Sequence, residues 1–218
     1  FTGALVFVGL SGVVLLLPFY LQYVLGLPLQ QVGLLMAIVP LIMTVLQPTS
    51  GILSDRLGTR QVSVAGLVFI LIGYLLMTTL PVDGPPWGYV WRMLPVTIGM
   101  SLFNSPNNSA IMGSVPKQRL GVASGVMSMV RTLGQVTGIS VLGAVFYSRL
   151  AYYSGGTQPG LENATPQAIV SALHDQFFLV AGLISVGLVV ALLTWRYEAR
   201  HGLTRQRPAV QAEPVIEA

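Results

Sequence analysis

The chain has 218 residues, 53% hydrophobic and 8% charged, with a formal net charge of +4 and no cysteine. Soluble domains carry roughly 25% charged residues, so this supply cannot cover a water-facing surface, and a mean hydropathy of +0.74 points to a protein solvated largely by lipid. The basic residues are too few and too scattered for a nucleic-acid footprint, and the lack of cysteine excludes disulfides, thiol chemistry and Cys-ligated metal.

The chain opens at Phe1 inside an apolar run, with no initiator Met, basic n-region or small-residue cleavage site. No signal-peptide pattern is present, and the chain is expected to be a segment of a longer protein. A helix needs roughly 20 apolar residues to cross ~30 Å of hydrocarbon. Six runs meet that length: 2–25, 31–53, 61–80, 89–113, 121–146 and 177–197. The first contains Gln22 and the second Gln47 as isolated polar residues. Between the second and third lies GILSDRLGTR, 51–60, although 1–50 and 61–82 hold no charge at all.

The fourth run carries Ser101, Asn104 and Asn108 at i, i+3 and i+7, with Pro106 among them freeing a backbone carbonyl. These residues either line a cavity or hold helices together. The fifth carries Ser124, Ser128, Arg131 and Gln135 on one helical face, flanked by Gly134 and Gly138. Arg131 stands ~15 Å along that helix, where a cation costs at least ~2.5–3.5 kcal/mol and must face protein or water. It serves a cavity or relay, or pairs structurally with another bundle. The segment 147–176 is rich in Gly, Ser, Thr, Pro and Asn and reads as a solvent loop. Thr165 before Pro166 is a helix-start signal, predicting a short amphipathic helix ahead of the last span. The expected organisation is a six-helix bundle over 1–197 and a disordered tail over 198–218, where Pro208 and Pro214 occur without apolar period.

Arg56, Arg60, Lys117, Arg119, Arg196, Arg200, Arg205 and Arg207 fall on one side of this arrangement, against Arg149 and Arg92 on the other. The positive-inside rule therefore predicts a multi-pass protein of the cell (inner or plasma) membrane with both ends of the segment cytoplasmic. Trp87, Tyr89, Trp91, Tyr147, Tyr152 and Tyr153 would then lie near the outer interface. The gap 28–33, PLQQVG, matches the gap 116–121, PKQRLG, and each joins the first helix of a three-helix group to the second. One is outside and the other inside, as a 3+3 inverted repeat predicts; the alternative is two independent turn signals.

Gly51, Leu53, Asp55, Arg56, Gly58 and Arg60 satisfy G-x-L-x-D-R-x-G-x-R, which resembles the cytoplasmic loop motif between helices two and three of a six-helix half in the major facilitator superfamily. The stretches 17–40 and 105–146 are similar to hairpins in the second half of its fourteen-helix drug:proton antiporter branch (EmrB/QacA type). The likeness covers about 1–197. It implies an all-α membrane protein whose six transmembrane helices form one half, the C-terminal half, of a major facilitator fold. It also implies a conformational latch at Gly51, Asp55, Arg56, Gly58 and Arg60. Asp55 either serves that latch or statically caps the third helix, while Gly51 permits close helix approach and Gly58 the turn.

The Gly- and Pro-rich antiporter motif and the acidic residues of a first half are absent. No Asp or Glu lies inside any predicted span, so proton coupling would draw on an absent N-terminal helical half. The expected activity is proton-coupled export of amphipathic small molecules, cations among them, by alternating access. The alternatives are a transporter of metabolites or lipids and an isolated fragment without function. No cofactor beyond the proton gradient, no metal and no nucleic acid are expected. Clustered acid, His or Ser–His sets for an enzyme are lacking, and no phosphate-binding loop supports ATP drive. The candidate cavity residues are Arg131, Gln135, Ser128, Asn104, Asn108, Ser101 and Gln22. His174 beside Asp175 reads as a solvated interfacial pair or, less simply, a proton site.

Overall fold

The computed structural model describes residues 2–156 and 160–200. Six long helices follow one another: α1 Thr2–Phe19, α2 Leu29–Leu57, α3 Thr59–Met77, α4 Trp87–Gly113, α5 Leu120–Tyr153 and α6 Pro166–Arg200. There is no strand among the described residues. α1 contains Pro18 and widens into a π-helical turn, Tyr20–Val24, as happens where proline interrupts the i→i−4 ladder. Five helical segments are long and apolar enough to cross a bilayer: Gly3–Val24, Leu29–Leu57, Thr59–Met77, Lys117–Tyr153 and Pro166–Tyr197. α4 has the length, at 27 residues, but three Asn, Arg92 and two internal prolines dilute its apolar content.

The helices pack as two interlocked groups of three. α1 lies against α5 and α2 against α4; α3 packs on α4 and α1 on α6; α2 meets α3 and α5 meets α6. Exchanging α1 with α4, α2 with α5 and α3 with α6 returns the same set of partners, with α3–α6 as its own image. The two matching gaps agree in backbone geometry. Pro28 heads α2 at φ −66°, ψ 147°, and Pro116 heads the one-turn 3₁₀ lead into α5 at φ −60°, ψ 150°. The fold is thus an all-α membrane half-bundle built as a 3+3 inverted repeat.

Without a water-driven collapse between helices, association in lipid depends on close van der Waals contact and small residues. Tyr20, Tyr74, Tyr89, Phe146 and Phe177 are the largest fully buried side chains. Where α5 crosses α1, a Cβ on Gly134 would stand 3.2 Å from Ala4 O, and one on Gly138 would run into Val8 O and Ser11 Oγ. Tyr20 Oη donates to Pro81 O at 2.9 Å, and His174 Nε2 lies 2.9 Å from Leu80 O. These two side chains hold the α3–α4 connection against α1 and α6.

Several boundaries differ from expectation. The stretch 51–57 is helical and belongs to α2, so the α2–α3 connection is the single residue Gly58. Polar residues at a helix end that leaves the lipid remain good helix formers; hydropathy alone reads them as a gap. Residues 147–153 continue α5 beyond its predicted end. The separate amphipathic helix is instead the first three turns of α6, which starts at Pro166 and runs unbroken. Its start is capped as expected, since Ala168 N–H donates to Thr165 Oγ1 at 3.3 Å. α6 reaches Arg200, so 198–200 continue the helix; the tail predicted disordered otherwise falls on 201–218, outside the described residues. Tyr89, in the first turn of α4, is buried in the bundle, with its hydroxyl 3.5 Å from Met36 Sδ.

Candidate functional site

Between the α2–α4 pair and the α1–α5 pair the bundle is open, and two adjoining recesses lie there. The first, of about 310 Å³, is polar and is lined by Gln47 of α2, Asn104, Ser105, Asn108 and Ser109 of α4, and Arg131 of α5. The second, of about 420 Å³, is mainly apolar. Phe7 of α1, Ile111 of α4 and Val122, Val126, Met127 and Val130 of α5 form its walls, with Asn107, Asn108, Arg119 and Arg131 at its edges. Asn108 and Arg131 border both recesses.

The helical repeat explains this division. Arg119, the residue that leads into α5, and Ala123, Met127 and Arg131 within it fall at four-residue spacing, beside the row Val122, Val126 and Val130. Residues four apart stack on one face, so an apolar wall results with a cation at each end, ~18 Å apart along the axis. Arg131 follows the start of α5 by eleven residues, ~17 Å into the helix. Its guanidinium lies over the Phe7 ring, 5.0 Å from the centroid, a cation–π contact that keeps the cation at the recess. Arg131 makes no hydrogen bond or ion pair among the described residues. Asn104 Oδ1 is buried there without a hydrogen-bond partner among the described residues.

The sequence-derived cavity residues separate into two groups. Asn104, Asn108 and Arg131 come together, joined by Gln47. Ser101 does not join them: it is buried, and its hydroxyl donates to Thr97 O at 3.0 Å within α4. Ser128 and Gln135 are exposed on α5, and Gln22 is exposed in the π turn at the other end of α1; none lines either recess. Phe7 and Arg119 escaped the sequence reading. Arg119 is legible only as a topology charge until α5 is seen to carry it in register with Arg131, and nothing in an apolar run singles out Phe7.

At the α2–α3 hairpin the small residues Ser50, Gly51 and Ser54 form the inner face of α2, and a Cβ on Gly51 would meet Ser105 Oγ at 3.4 Å. Asp55 and Arg56 are exposed. Asp55 lies in the last turn of α2, not before α3, and α3 has no side-chain cap. The static-cap reading of Asp55 therefore finds no bond. Gly58 takes φ 97°, ψ 137°, which a residue with a Cβ rarely adopts. At the opposite end, Tyr153 Oη donates to Asp175 Oδ2 at 3.0 Å, and Arg149 Nε lies 3.5 Å from the same oxygen.

An inverted-repeat membrane half-bundle is the architecture from which many membrane transporters build each of their halves. A family model described as Major Facilitator Superfamily matches residues 1–139. The chain belongs to the major facilitator superfamily, a family of membrane transporters rather than enzymes. It is 29% identical over 181 residues to the riboflavin transporter RibZ of Clostridioides difficile, covering 83% of this chain and 38% of that protein. It is 31% identical over 164 residues to the multidrug resistance protein Stp of Mycobacterium tuberculosis, covering 75% and 30%. It is 33% identical over 144 residues to a tetracycline resistance determinant of Streptomyces rimosus, covering 65% and 41%. The chain thus spans well under half the length of these relatives.

Proposed function

We propose that these helices are the C-terminal half of a proton-coupled exporter of amphipathic drugs or toxic compounds, working by alternating access against an N-terminal bundle. The observation that carries this reading is the recess at Arg131, where a polar pocket and an apolar trough meet on the open face. A site of that kind suits amphipathic cargo, because ligand pockets are mostly apolar with a few placed polar groups. Relatives named for multidrug and tetracycline resistance support the export side of the reading.

The recess lining contains no Asp or Glu among the described residues, so in this reading a carboxylate for proton coupling comes from the partner bundle. Energy comes from the proton gradient, without a cofactor. The protein would sit in the inner or plasma membrane with the hairpin at Gly58 and both ends of the segment cytoplasmic. Gly51, Asp55, Arg56, Gly58 and Arg60 form a latch toward the other bundle. Asp55, exposed and without a partner among the described residues, is available for a charge-assisted contact there, ~1.5–3 kcal/mol, enough to bias a two-state equilibrium.

The test is substrate accumulation in everted membrane vesicles of cells producing the full-length protein, with and without a protonophore. Gradient-dependent accumulation supports export; accumulation unaffected by the protonophore removes the coupling. A second reading, transport of a metabolite, is favoured by the similarity to the riboflavin transporter. Growth rescue of a riboflavin auxotroph would select it.

A further inference from the structure

We infer that the preferred cargo is an amphipathic organic anion, bound with its acidic head at Arg131 and its apolar body along α5. This rests on the reading of the recess as part of the transport cavity, and it narrows the cargo by charge. Among the described residues, Arg131 and Arg119 are the only charged ones that line the two recesses. On the wall that this bundle contributes, positive charge without a compensating acid among the described residues disfavours a cation and attracts an anion. Arg131 has no acidic partner among the described residues, so its planar fork of donors remains available to a carboxylate, sulfonate or phosphate.

The surroundings of that fork match such a head. On one side Gln47 and Asn108 bring amide groups able to donate to an oxyanion. Asn104 Oδ1, buried and unpartnered among the described residues, is an acceptor for an N–H or O–H donor beside the acid. On the other side Val122, Val126, Met127 and Val130 offer a trough for a ring system or a short chain. Recesses of about 310 and 420 Å³ suit a drug-sized molecule, and the occupant assigned to them is a free amphiphile.

Three probes of one N-phenylnaphthylamine frame separate charge from greasiness: 8-anilinonaphthalene-1-sulfonate, neutral N-phenyl-1-naphthylamine, and the same frame carrying a trimethylammonium group in place of the sulfonate. Binding is measured to the full-length protein in nanodiscs of zwitterionic lipid, with empty nanodiscs subtracted. The sulfonate is expected to bind about tenfold or more tightly than either analogue. Arg131→Gln should remove that preference while sparing the neutral probe, and Arg131→Lys should keep most of it. Tighter binding of the cation, equal losses for sulfonate and neutral probe in Arg131→Gln, or no specific sulfonate binding each overturns the inference. So does displacement of the sulfonate by phosphatidylglycerol in wild type but not in Arg131→Gln, which would assign the site to a lipid headgroup. If Arg131→Gln does not fold, the three-probe order on wild type still decides. Proton-driven movement of the probes in proteoliposomes tests the exporter reading separately. Anion-selective binding without movement counts against export and leaves the charge assignment standing, whereas movement with cation preference does the reverse.

Discussion

Gly66 on α3 and Gly99 on α4 meet backbone to backbone. A Cβ on Gly66 would stand 2.8 Å from Gly99 O, and a Cβ on Gly99 would stand 2.6 Å from Gly66 O. The α3–α4 contact is the most extensive in the bundle, and this pair lets it form. Because the obstruction is backbone, no rotamer change relieves it. Gly99→Leu is expected to cost at least ~1–3 kcal/mol, read as a lower unfolding midpoint of the detergent-purified protein. Gly33 on α2 is the control. A Cβ there meets nothing within 4 Å, so Gly33→Ala should be neutral or add up to ~1 kcal/mol through helix propensity.

Gly58 is the whole connection between α2 and α3, and its φ of 97° is a conformation that L side chains rarely adopt. Gly58→Ala leaves space unfilled and loses no contact, so its effect is conformational. The expected cost is ~1–3 kcal/mol. The same substitution at Gly121, also without neighbours within 4 Å but at a helical φ, should cost nothing. Equal midpoints for the two variants would remove the assignment of strain to Gly58.

Asp55 separates stability from transport. It is exposed at the end of α2 and its side chain makes no bond among the described residues. Asp55→Asn should leave the unfolding midpoint within ~0.5 kcal/mol of wild type. If the carboxylate latches onto a partner bundle, the same variant loses most of its transport. A variant with full transport would leave the motif charges as topology signals alone.

Thr165 tests the start of α6. Its Oγ1 accepts the Ala168 N–H at 3.3 Å, one of the backbone donors a helix otherwise leaves unpaired at its start. Thr165→Ala should cost about 1 kcal/mol and Thr165→Ser much less. Faster amide exchange confined to the first turn of α6 would accompany the alanine change.

The number and order of the helices were legible because lipid imposes a length and a polarity on each span, and both are written along the chain. The repeat was legible in six residues, 28–33 against 116–121, because an identical turn geometry needs Pro at the head of each helix. What lay beyond reading was the direction of individual side chains. Ser101 shares a stripe with Asn104 and Asn108, yet a serine satisfies itself on the carbonyl four residues back and needs no polar cavity. Asn has no such short return path, and Asn104 and Asn108 do border the recess. The start of α6 was misjudged because 166–176 are amphipathic rather than apolar, although the Thr-Pro signal marked the correct residue. Gln176, in that stretch, is fully buried with neither amide atom bonded among the described residues; pattern alone assigns such a residue to the surface.

The orientation of the bundle decides which end of the recess faces the cytoplasm, and this segment brings no cysteine of its own to a labelling measurement. Once any cysteine in the rest of the full-length protein is replaced, single cysteines introduced here can be read without background. Gln61, exposed in the first turn of α3, and Glu162, exposed in the turn before α6, lie at opposite ends of the bundle. With the basic residues of both inner gaps held in the cytoplasm, a membrane-impermeant maleimide added to intact cells should label Glu162→Cys at once. It should label Gln61→Cys only after permeabilisation. The reverse pattern would turn the Arg119 end of the trough outward. A head held at Arg131 would then lie deep from the outside, and the cargo's apolar body would point to the exterior instead of the compartment from which an exporter collects it.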